Sequence, residues 1–368
     1  MSKWPIWVLM LLTMGSASPA WGKDFKFAEP GYEFHFPSDH GSHEAYQIEW
    51  WYFTGHLTDK RGNHYGFELT FFRNGVRNES VRQNPSKWAV KNIYSAHFAI
   101  SNETTKEFWF NEVMSREGLG KAGAMPGHFQ VWIDQWMGRE NNGTIFLTAS
   151  DGTNRNRKGI EIQMNPEKPI VIHGESGTSP KDKESRNRSH YYSLTRLKTT
   201  GKLIWNGEMS EVKGLSWMDH EFGSNPLLPS QVGWDWFSIQ LDNGTDIMLY
   251  QIRNRDGSLP FSFGTLIDEK GLVKTLRQKD INLTPLKIWK TPEGWNYPTG
   301  WKVNIPERNV SLIVTPSFQN QELTVFGGNM RYWEGSVLIT GVPSSGVGYL
   351  ELTGYATDFP SLFSQKGQ

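Results

Sequence analysis

Apolar and polar residues alternate along this chain in short runs, and the runs come in pairs. Ile48–Leu57 (IEWWYFTGHL) is followed by polar Thr58–Asn63 and then by Tyr65–Arg73 (YGFELTFFR), the pattern of a β-hairpin. Ser95–Ile100 with Glu107–Val113 repeats it, as does His128–Met137 with Thr144–Ala149 across Asn141-Asn142-Gly143. Asp242-Asn243-Gly244, Arg255-Asp256-Gly257 and Glu269-Lys270-Gly271 keep the same hairpin rhythm, each ending on a glycine free to take positive φ. No stretch carries a helical apolar stripe over three turns. Glu175–Ser189 (ESGTSPKDKESRNRS) is the one long polar run, expected as a mobile surface loop ahead of an aromatic strand.

The strand pattern repeats internally. Trp50-Trp51-Tyr52-Phe53-Thr54-Gly55-His56-Leu57 aligns with Trp234-Asp235-Trp236-Phe237-Ser238-Ile239-Gln240-Leu241. Trp205-Asn206-Gly207 matches Trp333-Glu334-Gly335, and Gly214–Asp219 matches Gly346–Glu351. Two β units of one design are expected, joined near Gly223–Val232, where Pro226 and Pro229 break pairing. Curling removes sheet edges, so the fold class is all-β with two barrel-like domains, residues 23–225 and 226–368.

Composition narrows the function. The 368 residues hold 38 Lys+Arg and 38 Asp+Glu, so no basic excess advertises a nucleic-acid partner. Cys is absent, which excludes disulfides, a thiol nucleophile, Cys-bound zinc and iron–sulfur clusters. Residues 1–22 read as a signal peptide: basic Lys3, an apolar Ile6–Thr13 too short to span a bilayer, then small residues with cleavage after Ala20 or Gly22. With no later long apolar run, the mature chain is expected without a transmembrane segment, and periplasmic or secreted. Asn-x-Ser/Thr sequons such as Asn102-Glu103-Thr104 are taken as chance.

Two segments hold candidate chemistry. His190-Tyr191-Tyr192 opens the strand after the polar run, and Ser216-Trp217-Met218-Asp219-His220-Glu221 closes the first half. Alternation puts His190 with Tyr192 and Trp217 with Asp219. If both faces line one barrel mouth, an acid, an imidazole and two aromatic faces meet there, a set suited to acid–base chemistry on an apolar substrate. As a proton donor at neutral pH, Asp219 would need a pKa about three above the usual 3.9, which costs about 4 kcal/mol and demands burial. The structural alternative makes Asp219 a strand-end hydrogen-bond acceptor and His190 a core histidine. His220 and Glu221 are assigned structural roles; Glu351, the repeat partner of Asp219, is read either as a second carboxylate at the domain interface or as a buried structural acid, the latter preferred, and Glu49 is treated the same way. No His spacing suggests a metal, and no serine-nucleophile elbow or phosphate loop occurs.

The runs Glu49–Leu57 (EWWYFTGHL), His190–Leu197 (HYYSLTRL), Trp217–Gly223 (WMDHEFG) and Gly348–Tyr355 (GYLELTGY) resemble the AttH-like secreted proteins, relatives of the carotenoid hydratase (hydroxyneurosporene synthase) family. The resemblance spans about Tyr46 to Tyr355. It implies two tandem lipocalin-like β-barrel domains and, from its hydratase members, addition of water across an isolated C=C bond of an isoprenoid or a prenylated molecule, without a cofactor. It further implies that Asp219 protonates the alkene, that Trp217 and Tyr192 shelter the cation, and that His190 guides water. The sequence departs from the hydratases, which are expected to carry Trp at Tyr192 and Tyr at Trp217. The expectation is an exported hydratase- or hydrolase-like enzyme acting on a hydrophobic isoprenoid- or lipid-like molecule. The alternative is a non-catalytic lipid carrier serving an ABC-transporter permease, since many AttH-like members are encoded beside such permeases. The fold also hosts pericyclases.

Overall fold

Antiparallel pairing accounts for nearly all of the chain, as the alternation requires. The computed structural model describes residues 25–76, 84–86, 88–183, 187–225, 227–258 and 260–357. The signal-peptide reading of residues 1–22, and Pro226, lie outside them. Helix among the described residues is limited to three-residue 3-10 turns such as Ser38–His40. A thirteen-stranded sheet runs from Ile48 to Gly223 and a ten-stranded sheet from Gln231 to Leu352. The first is a nearly closed barrel and the second a half-barrel, consistent with two lipocalin-like domains.

Nine strands build the site. In the first sheet they are β1 (Ile48–Asp59), β2 (His64–Gly75), β3 (Asn92–Asn102), β4 (Arg188–Trp205) and β5 (Glu208–Gly223), neighbours in the order β3-β2-β1-β5-β4. In the second they are β6 (Gln231–Leu241), β7 (Asp246–Asn254), β8 (Met330–Val342) and β9 (Gly346–Leu352), in the order β7-β6-β9-β8.

Register makes the internal repeat physical. Leu57 faces Gly214 and Tyr52 faces Asp219 in the β1/β5 pair. Leu241 faces Gly346 and Trp236 faces Glu351 in the β6/β9 pair. The W-x-G match does not survive. Trp205-Asn206-Gly207 is the β4–β5 turn, with Asn206 at φ 53° and Gly207 at φ 81°, whereas Trp333-Glu334-Gly335 lies inside β8. By register the counterpart of Glu334 is Ser193, since these two stand opposite Glu351 and Asp219.

Two local expectations also change. His128–Met137 is not one strand: Asp134, at φ 51°, turns the chain between Gln130–Ile133 and Trp136–Asn141. The run Glu175–Ser189 is not a free loop where it is described. Ser179–Pro180 pairs with Arg188 and Ser189, the Tyr250 hydroxyl donates to the Pro180 carbonyl, and Gln231 Nε2 donates to the Lys181 carbonyl at 2.9 Å. Its described backbone is clamped to the second half, and its Lys181 turns inward to pair with buried Glu221.

Each half has its own core. Phe53, Leu69, Phe98 and Met218 belong to one core, and Phe237, Leu249, Trp301 and Leu350 to the other. A third apolar cluster, containing Tyr52, Tyr191, Trp217, Trp236, Tyr250 and Tyr349, joins the outer faces of the two sheets. Burying several aromatic rings at 150–250 Å² each holds the halves together.

Candidate active site

A pocket borders the first barrel's core at Phe36, His40, Phe129, Leu194 and Met218, and separate room for a ligand lies between the sheets. A mostly apolar cavity of about 180 Å³ opens there, with Trp50, Tyr52, Asp219, Trp234, Trp236 and Glu351 among its walls. Ser193, Asp219, Tyr52, Thr70 and His97 stand side by side across β4, β5, β1, β2 and β3. On the second sheet the equivalent row is Glu334, Glu351, Trp236 and Tyr250. The rows cross-link: the Tyr52 hydroxyl donates to Glu334 Oε1 at 2.7 Å, and Trp236 Nε1 donates to the Tyr191 hydroxyl at 3.1 Å.

Asp219 is 3% exposed. The Tyr191 hydroxyl donates to Oδ2 at 2.7 Å and Trp217 Nε1 donates to Oδ1 at 2.6 Å, with the Ser193 hydroxyl also on Oδ1. Burial pushes the carboxyl up to about 7, although the donors from Ser193, Tyr191 and Trp217 favour the charged form. Among the described residues no cation pairs with Asp219, and Lys181 is held by Glu221, with Nζ 2.5 Å from Oε1. The result is a carboxyl that exchanges its proton near neutrality beside an apolar cavity, the property required of a general acid.

Glu351 shares this character. Trp234 Nε1 donates to its Oε2 at 2.9 Å, and burial, aided by the nearby Asp219 and Glu221 charges, lifts it to about 7. Glu334 is held well above the ordinary range by burial and by the neighbouring Glu351 and Glu68. At the other end of the row, burial pushes His97 down to about 3, so it stays neutral, with Nδ1 2.7 Å from the Tyr332 hydroxyl.

The structure brings Asp219 and Trp217 together but places His190 and Tyr192 on the opposite face of β4. The reason is register. Ser193 is the residue opposite Asp219, so Tyr191 and Ser193 share its face, while His190 and Tyr192 turn into the first barrel. A one-residue offset exchanges every side chain between faces. Tyr191 was the missed partner, and alternation alone could not reveal it without the strand pairing.

Inside that barrel, His190 and Tyr192 meet the segment from Tyr32 to Tyr46. His190 Nε2 is 3.1 Å from the Tyr46 hydroxyl, and the Tyr192 hydroxyl lies 2.6 Å from His40 Nδ1 and 2.9 Å from His220 Nδ1. Buried Glu49 completes the network, with His220 Nε2 at 2.9 Å, His43 Nδ1 at 2.7 Å and Arg73 Nε at 2.8 Å. His43, Glu49 and His220 offer ligand-type atoms within 4.8 Å of one another. Those atoms are already engaged, and the Arg73 guanidinium neutralises the carboxylate, which disfavours a cation in the same place. Spacing along the chain could not show this cluster, which joins the stretch before β1 to residues of β1, β2, β4 and β5.

Fold and site define a two-barrel β protein with an acid-bearing aromatic cavity between its halves. A family model for AttH-like proteins matches residues 27–355, and the chain belongs to that family. Among solved structures it is similar to a protein given the name AttH from Nitrosomonas europaea (TM-score 0.80, 29% identity, 90% of this chain and all of that one). It also shares its fold with kievitone hydratase from Nectria haematococca (TM-score 0.66, 16% identity, 90% and 99%). CghA is a third match (TM-score 0.55, 13% identity, 90% and 97%). A search of curated proteins finds no match.

Proposed function

We propose that the protein is a cofactor-free hydratase that adds water across a C=C bond of an apolar isoprenoid- or lipid-like molecule held between the two barrels, with Asp219 as general acid. One observation carries this reading: a nearly fully buried carboxyl, lifted to about 7, on the wall of an aromatic cavity. The Asp219 proton passes to the less substituted alkene carbon, the π pair forms the new C–H bond, and the more substituted carbon becomes cationic. The π faces of Trp50, Tyr52, Trp234 and Trp236 favour that cation by about 1–2 kcal/mol each when desolvated. Water then closes the C–O bond and gives up one proton, and a proton taken back by Asp219 regenerates the acid. Trp217 acts from beneath, orienting Asp219 through its 2.6 Å hydrogen bond. The fold shared with kievitone hydratase supports the reaction class. The reading includes action after export, supported by the basic, apolar and small-residue order of residues 1–22.

Mass spectrometry of wild type and Asp219→Asn, each incubated with a panel of isoprenoids, tests the proposal. A product heavier by one water from wild type alone supports it. A lipid copurifying with both proteins, with no product from either, refutes the enzyme and makes the protein a hydrophobic-ligand carrier.

A further inference from the structure

We infer that Glu351 takes the proton from the attacking water, so that each half of the duplicated chain supplies one carboxyl of an acid–base pair. This rests on the hydration reading above and names the residue that completes it.

Register carries the first part of the argument. Asp219 stands opposite Tyr52 on the first sheet and Glu351 opposite Trp236 on the second, and both line the same cavity. The two positions are equivalents in the internal repeat, so duplication alone presents a carboxyl from each wall. Tyr191 and Trp236 link them: Trp236 Nε1 donates to the hydroxyl that itself donates to Asp219.

Elimination carries the second part. Glu221 is paired with Lys181. Glu334 is 1% exposed, accepts the Tyr52 hydroxyl and keeps its own proton through burial. Glu351 retains some surface open to the cavity, and among the described residues only Trp234 Nε1 holds it, on Oε2. Oε1 is left to receive a proton from water. Burial first, and then the charge on Asp219, raises Glu351 to about 7, so the two acids favour sharing one proton near neutrality.

In the productive arrangement Asp219 is protonated and Glu351 ionised. Asp219 gives its proton to the alkene carbon and the π bond becomes a C–H bond. A water lone pair forms the C–O bond, and the released water proton goes to Glu351. Transfer of that proton back to Asp219 through solvent restores the pair, and the net change is alkene plus water to alcohol.

The experiment follows the isoprenoid panel in deuterated water with wild type, Asp219→Asn, Glu351→Gln and Glu351→Asp. Wild type hydrates. In Glu351→Gln hydration falls on the order of 100-fold or more, the usual worth of a positioned base. Deuterium still enters the alkene carbon that Asp219 protonates, because the trapped cation reverts by returning a proton to the Asp219 carboxylate. That residual exchange also reports a folded site. Asp219→Asn shows neither reaction, and Glu351→Asp recovers part of the hydration. Hydration at the wild-type rate in Glu351→Gln overturns the inference, as does loss of exchange together with hydration, which would make Glu351 a structural acid. If wild type hydrates no member of the panel, the hydratase reading fails and the base role falls with it, an outcome told apart by the wild-type arm alone.

Discussion

Replacing Asp219 with Asn should abolish activity and change stability with a sign set by pH, a slight loss in acid and a gain above neutrality. The side chain is fully enclosed, and its carboxyl moves from 3.8 to about 7 on folding. Between those values the folded chain binds more protons than the unfolded one, so stability from this group is complete below about pH 4 and is lost as pH rises to about 7. The loss is about 1.4 kcal/mol per pH unit, roughly 4 kcal/mol in all. Asn carries no charge and avoids it. It keeps an oxygen for Trp217 and Ser193 but offers an amide where Tyr191 donated at 2.7 Å, a mismatch costing about 1 kcal/mol. The net expectation is a variant slightly less stable than wild type at pH 4 and about 3 kcal/mol more stable at pH 8. Buried Glu334, Glu351 and Glu68 are common to both proteins and largely cancel. Urea unfolding followed by tryptophan fluorescence at pH 4, 6 and 8 gives the comparison. A stability difference that does not change with pH, or a wild type more stable at pH 8, would refute the assignment of Asp219 as a carboxyl strained by burial.

Three further outcomes follow from the hydrogen bonds. Trp217→Phe removes a donor to the ionised acid, worth roughly 1.5–3 kcal/mol, so Asp219 should hold its proton to higher pH. The alkaline limb of the pH–rate profile should therefore move up by about 1–2 pH units. Tyr191→Phe should lower hydration about tenfold, the worth of one hydrogen bond, while Tyr192→Phe should leave turnover intact and cost roughly 1–3 kcal/mol of stability by orphaning its histidine partners. Kinetics and unfolding on the same pair of proteins check that contrast. Arg73→Met strands the Glu49 charge inside the first barrel and should cost about 3–5 kcal/mol in urea titration, with Glu49→Gln in the same chain recovering part of it.

Local patterning made the strands, the turns and the duplication legible, because each depends on neighbours along the chain. Asn141-Asn142-Gly143 turns with Asn142 at φ 51° and Gly143 at φ 77°, as its residue types demand. Asp219 was legible for a related reason: an acid two residues after a tryptophan on an apolar strand must be satisfied or put to use. What stayed hidden depends on pairing. Whether Tyr191 or Tyr192 meets Asp219 is decided by a bulge in the β4/β5 pairing between Leu194 and Leu197 and by the register it sets, not by composition. The same holds for Glu49, whose partners His43, Arg73 and His220 come from separate segments.

Duplication explains why the cavity lies between the barrels. Side chains fill most of a small barrel, and here each half has its own aliphatic and aromatic core. A duplicated unit also has an outer face, and a second copy packed against it leaves mismatches where two twisted sheets meet. Aromatic residues at the repeated positions Trp50, Tyr52, Trp234 and Trp236 make that seam apolar, and Asp219 and Glu351 place one acid on each side of it. Water excluded by the rings is what lifts both carboxyls toward neutrality. Seam and proton chemistry therefore have one origin, and a substitution that opens the seam, such as Trp236→Ala, should return Asp219 toward an ordinary carboxylate and weaken it as an acid at neutral pH. That variant should keep its fold, cost about 3–5 kcal/mol for the lost ring, and show an alkaline limb moved down in pH. An unchanged limb would mean that the seam does not set the acid.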